Sequence, residues 1–380
     1  MVKDKNAVLT KTMNNKKILY VFGPGRLEKI SNESIQAKEF FYGYFDLNNK
    51  HNLNAIGVTK SPANRKGVRQ FLHFYDRVIV KLTNFPSYST EIISVKHIKN
   101  YSKSEIAIFT SDALFISFLP IVLFYKLIGK KINNIVITMG LLGKPSDSKF
   151  KNITNKLFLK LVYFSTKSFV FLGKGEYELA KKLFGKNNSK IYFVPFTVDT
   201  KFWSAKSPIE KEGVLFVGND GKRDYQLLVK LVDEMKDLHF TFISNFKFNF
   251  SAKNLSIIQG NWHEQLLSDE ELRNYYLNAK LTILPIKETF QPSGQSVGLQ
   301  SISCKTPILV SKTKGFWGDE NFINKYRVNF VNNNNVDEWS TAINSIINSY
   351  KKHELSNEDV LDFHREYNLE NFAQKLEKLF

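Results

Sequence analysis

Short apolar runs that stop at small residues constrain this chain more than any other feature. Ile18-Leu-Tyr-Val-Phe22 stops at Gly23-Pro-Gly25, Ile106-Ala-Ile-Phe109 at Thr110, Ile135-Val-Ile-Thr138 at Met139-Gly140, and Ser168-Phe-Val-Phe-Leu172 at Gly173. The pattern returns with Val214–Val217 before Gly218, Phe240–Ile243 before Ser244, Leu281–Leu284 before Pro285 and Ile308–Val310 before Ser311. Unalternated runs this short, rich in β-branched and aromatic residues, read as strands buried on both faces, which implies parallel sheets. The longer mixed stretches between them supply the crossovers that parallel strands require. Small and polar residues at strand ends suit a ligand-facing edge of an open α/β sheet. With 380 residues there is room for two such units, each with its own core.

Helices are partly legible. Ser34 to Leu47 carries apolar residues at 37, 40, 41, 44, 45 and 47 and reads as one helix. Tyr177–Phe184 is short and amphipathic, and Ser268-Asp-Glu-Glu271 forms a capping box that opens a helix to Ala279. Phe193-Val-Pro195 reads as the link, dividing the chain into 1–195 and 196–366, with a last helix over 367–380. The most apolar stretch, Ala113–Tyr125, contains Pro120 and is followed by Lys126. It falls short of the roughly 20 residues a bilayer span needs and reads as a buried helix. Residues 1–17 lack an apolar signal-peptide core. The single cysteine, Cys304, excludes a disulfide framework or a multi-cysteine zinc site and suits a reducing compartment. The seven histidines show no metal-ligand spacing. No metal or cofactor is expected, and His97 reads as a surface residue.

Three segments carry the chemistry. In Phe216-Val-Gly-Asn-Asp-Gly-Lys-Arg-Asp-Tyr225 a strand enters a glycine loop with two cations and then a helix. Gly218 and Asn219 lie in that loop, and Lys222 and Arg223 offer charge-assisted donors for a diphosphate. The loop matches neither the Walker A motif nor the dinucleotide fingerprint in full. In the second segment, from Leu284 to Ser311, a loop bearing Glu288 leads to a helix opening near Ser293. Ser293, Gly294, Gln295 and Ser296 place unpaired N–H groups and the positive end of a helix dipole where an anion can bind. An ordinary turn and a Ser-capped helix are the plainer readings of these two segments. The third segment is Ile191-Tyr-Phe-Val-Pro-Phe-Thr-Val-Asp-Thr-Lys-Phe-Trp203.

In this order and spacing the three segments resemble glycosyltransferase family 4, a group of retaining, nucleotide-sugar-dependent enzymes. Pro195, Val198-Asp199 and Phe202 resemble that family's link, Gly218 with Lys222/Arg223 its phosphate loop, and Leu299-Gln-Ser-Ile-Ser-Cys-Lys-Thr-Pro-Ile308 its donor helix. The resemblance implies a GT-B fold: two Rossmann-like parallel-sheet domains facing a central cleft, with the last helix crossing back onto the first. It implies a hexosyl-transferase type of enzyme, acting in polysaccharide, lipopolysaccharide or glycolipid synthesis without a metal. The donor would be a UDP- or GDP-sugar and the acceptor a glycan or lipid-linked hydroxyl. Two departures stand out. The arginine expected after the loop glycine is Asn219, and the glutamate expected to hold donor ribose is Gln300. The first family glutamate falls on Pro292, so Glu288 is its candidate substitute. On the acceptor side the resemblance points to Gly23, Gly25 and Arg26 after the first strand, and to Asp112 where the family often has histidine.

The charge is divided. Residues 1–195 hold 32 Lys/Arg against 12 Asp/Glu, and the remainder 22 against 24, so the net +18 comes from the first half. Lysines 149, 151, 156, 160 and 167 alternate with Phe150, Leu157, Phe158, Leu161 and Phe164, the pattern of a basic amphipathic helix on an anionic membrane. A core helix with a solvated lysine face is the alternative. Nucleic acid is not expected, since no RRM, KH or zinc-finger pattern accompanies the charge. These readings together imply a cytoplasmic enzyme at the inner membrane face. A nucleotide-sugar epimerase of the same fold and a non-catalytic basic adaptor remain as rival functions.

Overall fold

A computed structural model describes residues 16–30, 37–58, 66–143, 148–204, 210–259 and 267–380. They form two six-stranded sheets, parallel throughout. The first contains β1 (Lys17–Phe22), β2 (Asn52–Gly57), β3 (Ile106–Phe109), β4 (Asn133–Thr138), β5 (Ser168–Phe171) and β6 (Ile191–Phe193), in the order β2-β1-β3-β4-β5-β6. The second contains β7 (Glu212–Val217), β8 (Phe240–Ile243), β9 (Leu255–Ile258), β10 (Ala279–Leu284), β11 (Ile308–Ser311) and β12 (Asn329–Val331), in the order β12-β11-β10-β7-β8-β9. In each sheet the chain starts in the middle, builds one side, then returns to build the other. This creates a switch point between β1 and β3, and another between β7 and β10, where crevices open beyond the carboxyl ends.

The eight runs read as strands are the eight interior strands. Helices Lys66–Leu82, Asp112–Leu127 and Lys149–Ser165 pack on the sheet face that carries Leu19, Val21 and Phe109. The opposite face, with Tyr20 and Phe22, joins a core that continues through the link residues Val198 and Trp203 to Leu215 and Ile308 of the second sheet. The capping box at Ser268 forms, with Asp269–Asn278 as its helix. The apolar stretch around Pro120 is the largely buried helix Asp112–Leu127, and no described helix is long and apolar enough to cross a membrane.

Two expectations change. Residues 34–47 do not form one helix: 34–36 lie outside the described residues, Glu39–Phe41 is a 3-10 turn, and a helix runs over Tyr44–Asn48. Tyr42 and Gly43 both take positive φ (50° and 76°), which no helix interior allows. His97 is buried rather than on the surface, its Nδ1 2.6 Å from the Ile92 carbonyl oxygen. The last helix, Leu369–Glu377, returns to the first half. Ala373 meets Gly43, and Glu377 accepts from Lys50 (3.2 Å) and pairs with His51 (2.9 Å).

Candidate active site

The carboxyl ends at both switch points face one cleft of about 480 Å³, a size suited to a small-molecule ligand. Gly23 follows β1, Thr110 and Ser111 follow β3, and Gly218 follows β7; Ser296 and Gln300 come from the helix Gln295–Ser303 beyond β10. Arg26, Phe40, Tyr42 and Met139 complete the wall on the first sheet's side. Glu176, fully buried, accepts from the amides of Gly140 (2.8 Å) and Leu142 (2.9 Å), which fixes the loop bearing Met139.

Arg223 lies on the second sheet's side, 3% exposed. Residue 223 forms an antiparallel bridge with Ile286, so neighbouring side chains point to opposite sides of the backbone. Arg223 turns into the cleft, whereas Lys222 is half-buried and does not line it. The Arg223 Nη1 donates to Ser293 Oγ (2.8 Å), and the Ser293 hydroxyl donates to Asp220 Oδ2 (2.7 Å), which lies 3.5 Å from Nη1. The Nε–H is buried without a partner. A side chain at 218 would drive its Cβ into that Nε, so only glycine leaves room for the guanidinium. Burial lowers the Arg223 pKa and the Asp220 carboxylate opposes that shift.

Gly294, at φ +77°, turns the chain into helix Gln295–Ser303 beside Arg223. The first amides of that helix have no acceptor within it, and their dipole favours an anion. The Arg223 guanidinium, Ser296 and a helix N-terminus therefore meet at one wall of the cleft, whereas Ser293, its hydroxyl spent between Arg223 and Asp220, does not line it. That set can hold a phosphate or diphosphate.

A second cluster was not visible in the sequence. Glu39 crosses from the first half to the second: its Oε1 accepts from Trp203 Nε1 (2.9 Å) and from Gln300 Nε2 (2.8 Å). The Gln300 carbonyl oxygen accepts from Tyr276 OH (3.1 Å), so the amide is held at both ends. Glu39 is 2% exposed, and its Oε2 is buried without a partner. Burial pushes its pKa up to about 7, against the lowering effect of the two donors. Gln300 at this position avoids setting a second carboxylate against Glu39. Burial also lowers the Arg26 pKa to about 10, and its guanidinium stacks 4.8 Å from the Phe40 ring.

Of the remaining expected residues, Asn219 borders the cleft and the others do not line it. Glu288 is exposed and accepts from the Lys314 amide (3.1 Å), outside the cleft wall. Its loop serves packing between the halves: Pro292 abuts Gly173, and Gln291 packs against Gly140. Gln295 donates through Nε2 to the Leu172 carbonyl (2.8 Å), a tie between the two sheets' ends. Asn219 is exposed at the cleft edge and accepts from the Asn245 amide. Asp112 is buried and accepts from the Met139 amide (3.4 Å). Gly25, at φ +72°, turns the chain between the cleft residues Gly23 and Arg26. Among the described residues no cluster of His, Cys, Asp and Glu could hold a metal ion.

No protein-family profile matches the chain, and no curated protein matches it in sequence. Solved structures do. A glycosyltransferase from Rickettsia africae ESF-5 superposes with a TM-score of 0.62 at 13% identity, over 96% of this chain and 98% of that one. The E. coli trehalose-6-phosphate protein bound with UDP-2-fluoro glucose gives 0.64 at 11% identity, over 96% and 99%. A point mutant of S. aureus TarM, in complex with fondaparinux, alpha-GlcNAc-glycerol and UDP, gives 0.51 at 12%, over 81% of this chain and 58% of that one. The chain has the two-domain GT-B fold.

Proposed function

We propose that this protein is a glycosyltransferase of the family 4 type. It moves a sugar from a UDP- or GDP-sugar to a hydroxyl of a glycan or lipid-linked acceptor, with retained configuration and without a metal. The observation that carries the reading is Arg223, buried in the cleft with an unspent Nε–H beside the N-terminus of Gln295–Ser303. When the bond from the anomeric carbon to the diphosphate breaks, the electron pair and a new negative charge leave with the diphosphate. Donors fixed in advance at that charge stabilise the transition state without reorganising. Arg223 and Ser296 are the proposed donor-phosphate contacts and Gln300 a contact to donor hydroxyls. Arg26 and Gly23 face the acceptor side. The fold shared with a protein that binds a UDP-sugar analogue supports the reading. We place the enzyme peripherally at the inner membrane face, in keeping with its basic first half.

The test is donor-dependent release of UDP or GDP with product analysis. Arg223→Lys keeps the charge and loses the forked geometry, so release should fall about a hundredfold, as for loss of one oxyanion donor. Lys222→Ala should retain turnover. Equal turnover of Arg223→Lys and wild type would overturn the phosphate assignment, and an isomerised sugar nucleotide formed without any acceptor would mark an epimerase.

A further inference from the structure

The first half carries an apolar face that none of the described residues covers. Helix Lys149–Ser165 buries Val162 and Asn155 on one side. On the other, Phe150, Ile153, Leu157, Leu161 and Phe164 form a stripe at helical spacing, and each is exposed by 37–61%. The stripe runs over 15 residues, about 21 Å from Phe150 to Phe164 at 1.5 Å per residue. Lys149, Lys156 and Lys160 flank it, and the helix contains no acidic residue. Neighbouring helices extend the face. Lys126 places its ammonium 3.6 Å from the Phe164 ring centroid, which brings exposed Phe124 and Leu127 alongside. The Thr154 hydroxyl donates to the Leu82 carbonyl at the end of helix Lys66–Leu82, where Val80 and Leu82 are also exposed.

We propose that this face docks on an anionic lipid bilayer, with the Phe150–Phe164 stripe inserted at the headgroup boundary and the lysines among lipid phosphates. The inference rests on the peripheral placement above and names the surface responsible. Charge selects the occupant. A second copy of the chain would bring lysines against lysines across a two-fold axis, in a half that is already +20 (32 − 12). Nucleic acid would satisfy the lysines but would leave Ile153, Leu157 and Leu161 without an apolar partner. A bilayer with anionic headgroups satisfies both, since apolar area drives insertion and each nearby lysine adds attraction.

Co-sedimentation of the full chain with vesicles tests this. Phosphatidylglycerol mixed with phosphatidylethanolamine should carry the protein down, and phosphatidylcholine alone should not. The triple variant Phe150→Ser/Leu157→Ser/Phe164→Ser should lose at least about tenfold in vesicle affinity, and Lys149→Glu/Lys156→Glu/Lys160→Glu should lose as much. Both should keep the wild-type melting temperature and donor response, which separates failure of this surface from failure of the sugar-transfer reading. Unchanged sedimentation of the Phe/Leu triple, equal recovery on phosphatidylcholine, or a solution dimer that the triple dissociates would overturn the proposal.

Discussion

Glu39 sets a pH dependence that can be measured. Its ordinary pKa of 4.5 is pushed to about 7 in the folded protein, first by burial. The native state then binds the proton more tightly than the unfolded chain does. Stability contributed by the protonated form is therefore complete below about pH 4.5, declines as pH rises, and levels off above pH 7. Glu39→Gln removes the titration. Denaturant unfolding at pH 5 and pH 8 should show a smaller loss for this variant than for wild type; equal losses would contradict the buried-carboxyl account. Gln300→Glu should destabilise the protein at pH 8 by about 1–3 kcal/mol and much less at pH 5, because a second carboxylate would face Glu39. The exchange Glu39→Gln/Gln300→Glu restores a single carboxylate and should recover most of that loss. None of this was legible from the sequence. Residue 39 sat on the polar side of an imagined helix, and its partners come from positions 203 and 300.

Elements were legible in proportion to how completely they are buried. The eight interior strands stand out as apolar runs because neighbours cover both of their faces. The four strands not read as strands, β2, β6, β9 and β12, are the four sheet edges. β2 reads Asn-Leu-Asn-Ala-Ile-Gly, with solvent reaching its first half, so it carries no continuous apolar signal. Helix ends were legible where a side chain caps them, as at Ser268. The Gly218 loop and the 293–296 helix start were also legible, because glycine and serine have local reasons to be there. Which cation of Lys222-Arg223 faces the cleft depended on the bridge to Ile286, a contact between distant segments. Loop 287–292, read as a ligand loop, belongs to the seam between the halves, as does Gly175. Its amide donates to Phe316 O (3.0 Å), and a Cβ there would collide with Lys314 O. Gly175→Ala should cost about 1–3 kcal/mol of stability through this backbone clash; unchanged thermal unfolding would show that the seam gives way freely.

At the scale of the whole molecule the charge sorts into two tasks. The second half is nearly neutral and meets its proposed anion with one buried arginine and a helix end. The first half holds the surplus, with Lys149, Lys156 and Lys160 exposed along one helix. Salt screens exposed charges far more than buried ones, so raising ionic strength should weaken vesicle binding more than donor binding; parallel loss of both would contradict this division. The central claim is that a nucleotide sugar binds in the cleft through Arg223. Its most direct test is thermal unfolding of wild type, Arg223→Lys and Lys222→Ala with UDP-, GDP- and ADP-sugars, since a ligand that binds only the native state raises the melting temperature by mass action. The account predicts that one of these donors raises the melting temperature of wild type and Lys222→Ala alike, and raises that of Arg223→Lys far less. No stabilisation of wild type by any of the three, or an equal rise in Arg223→Lys, would contradict it.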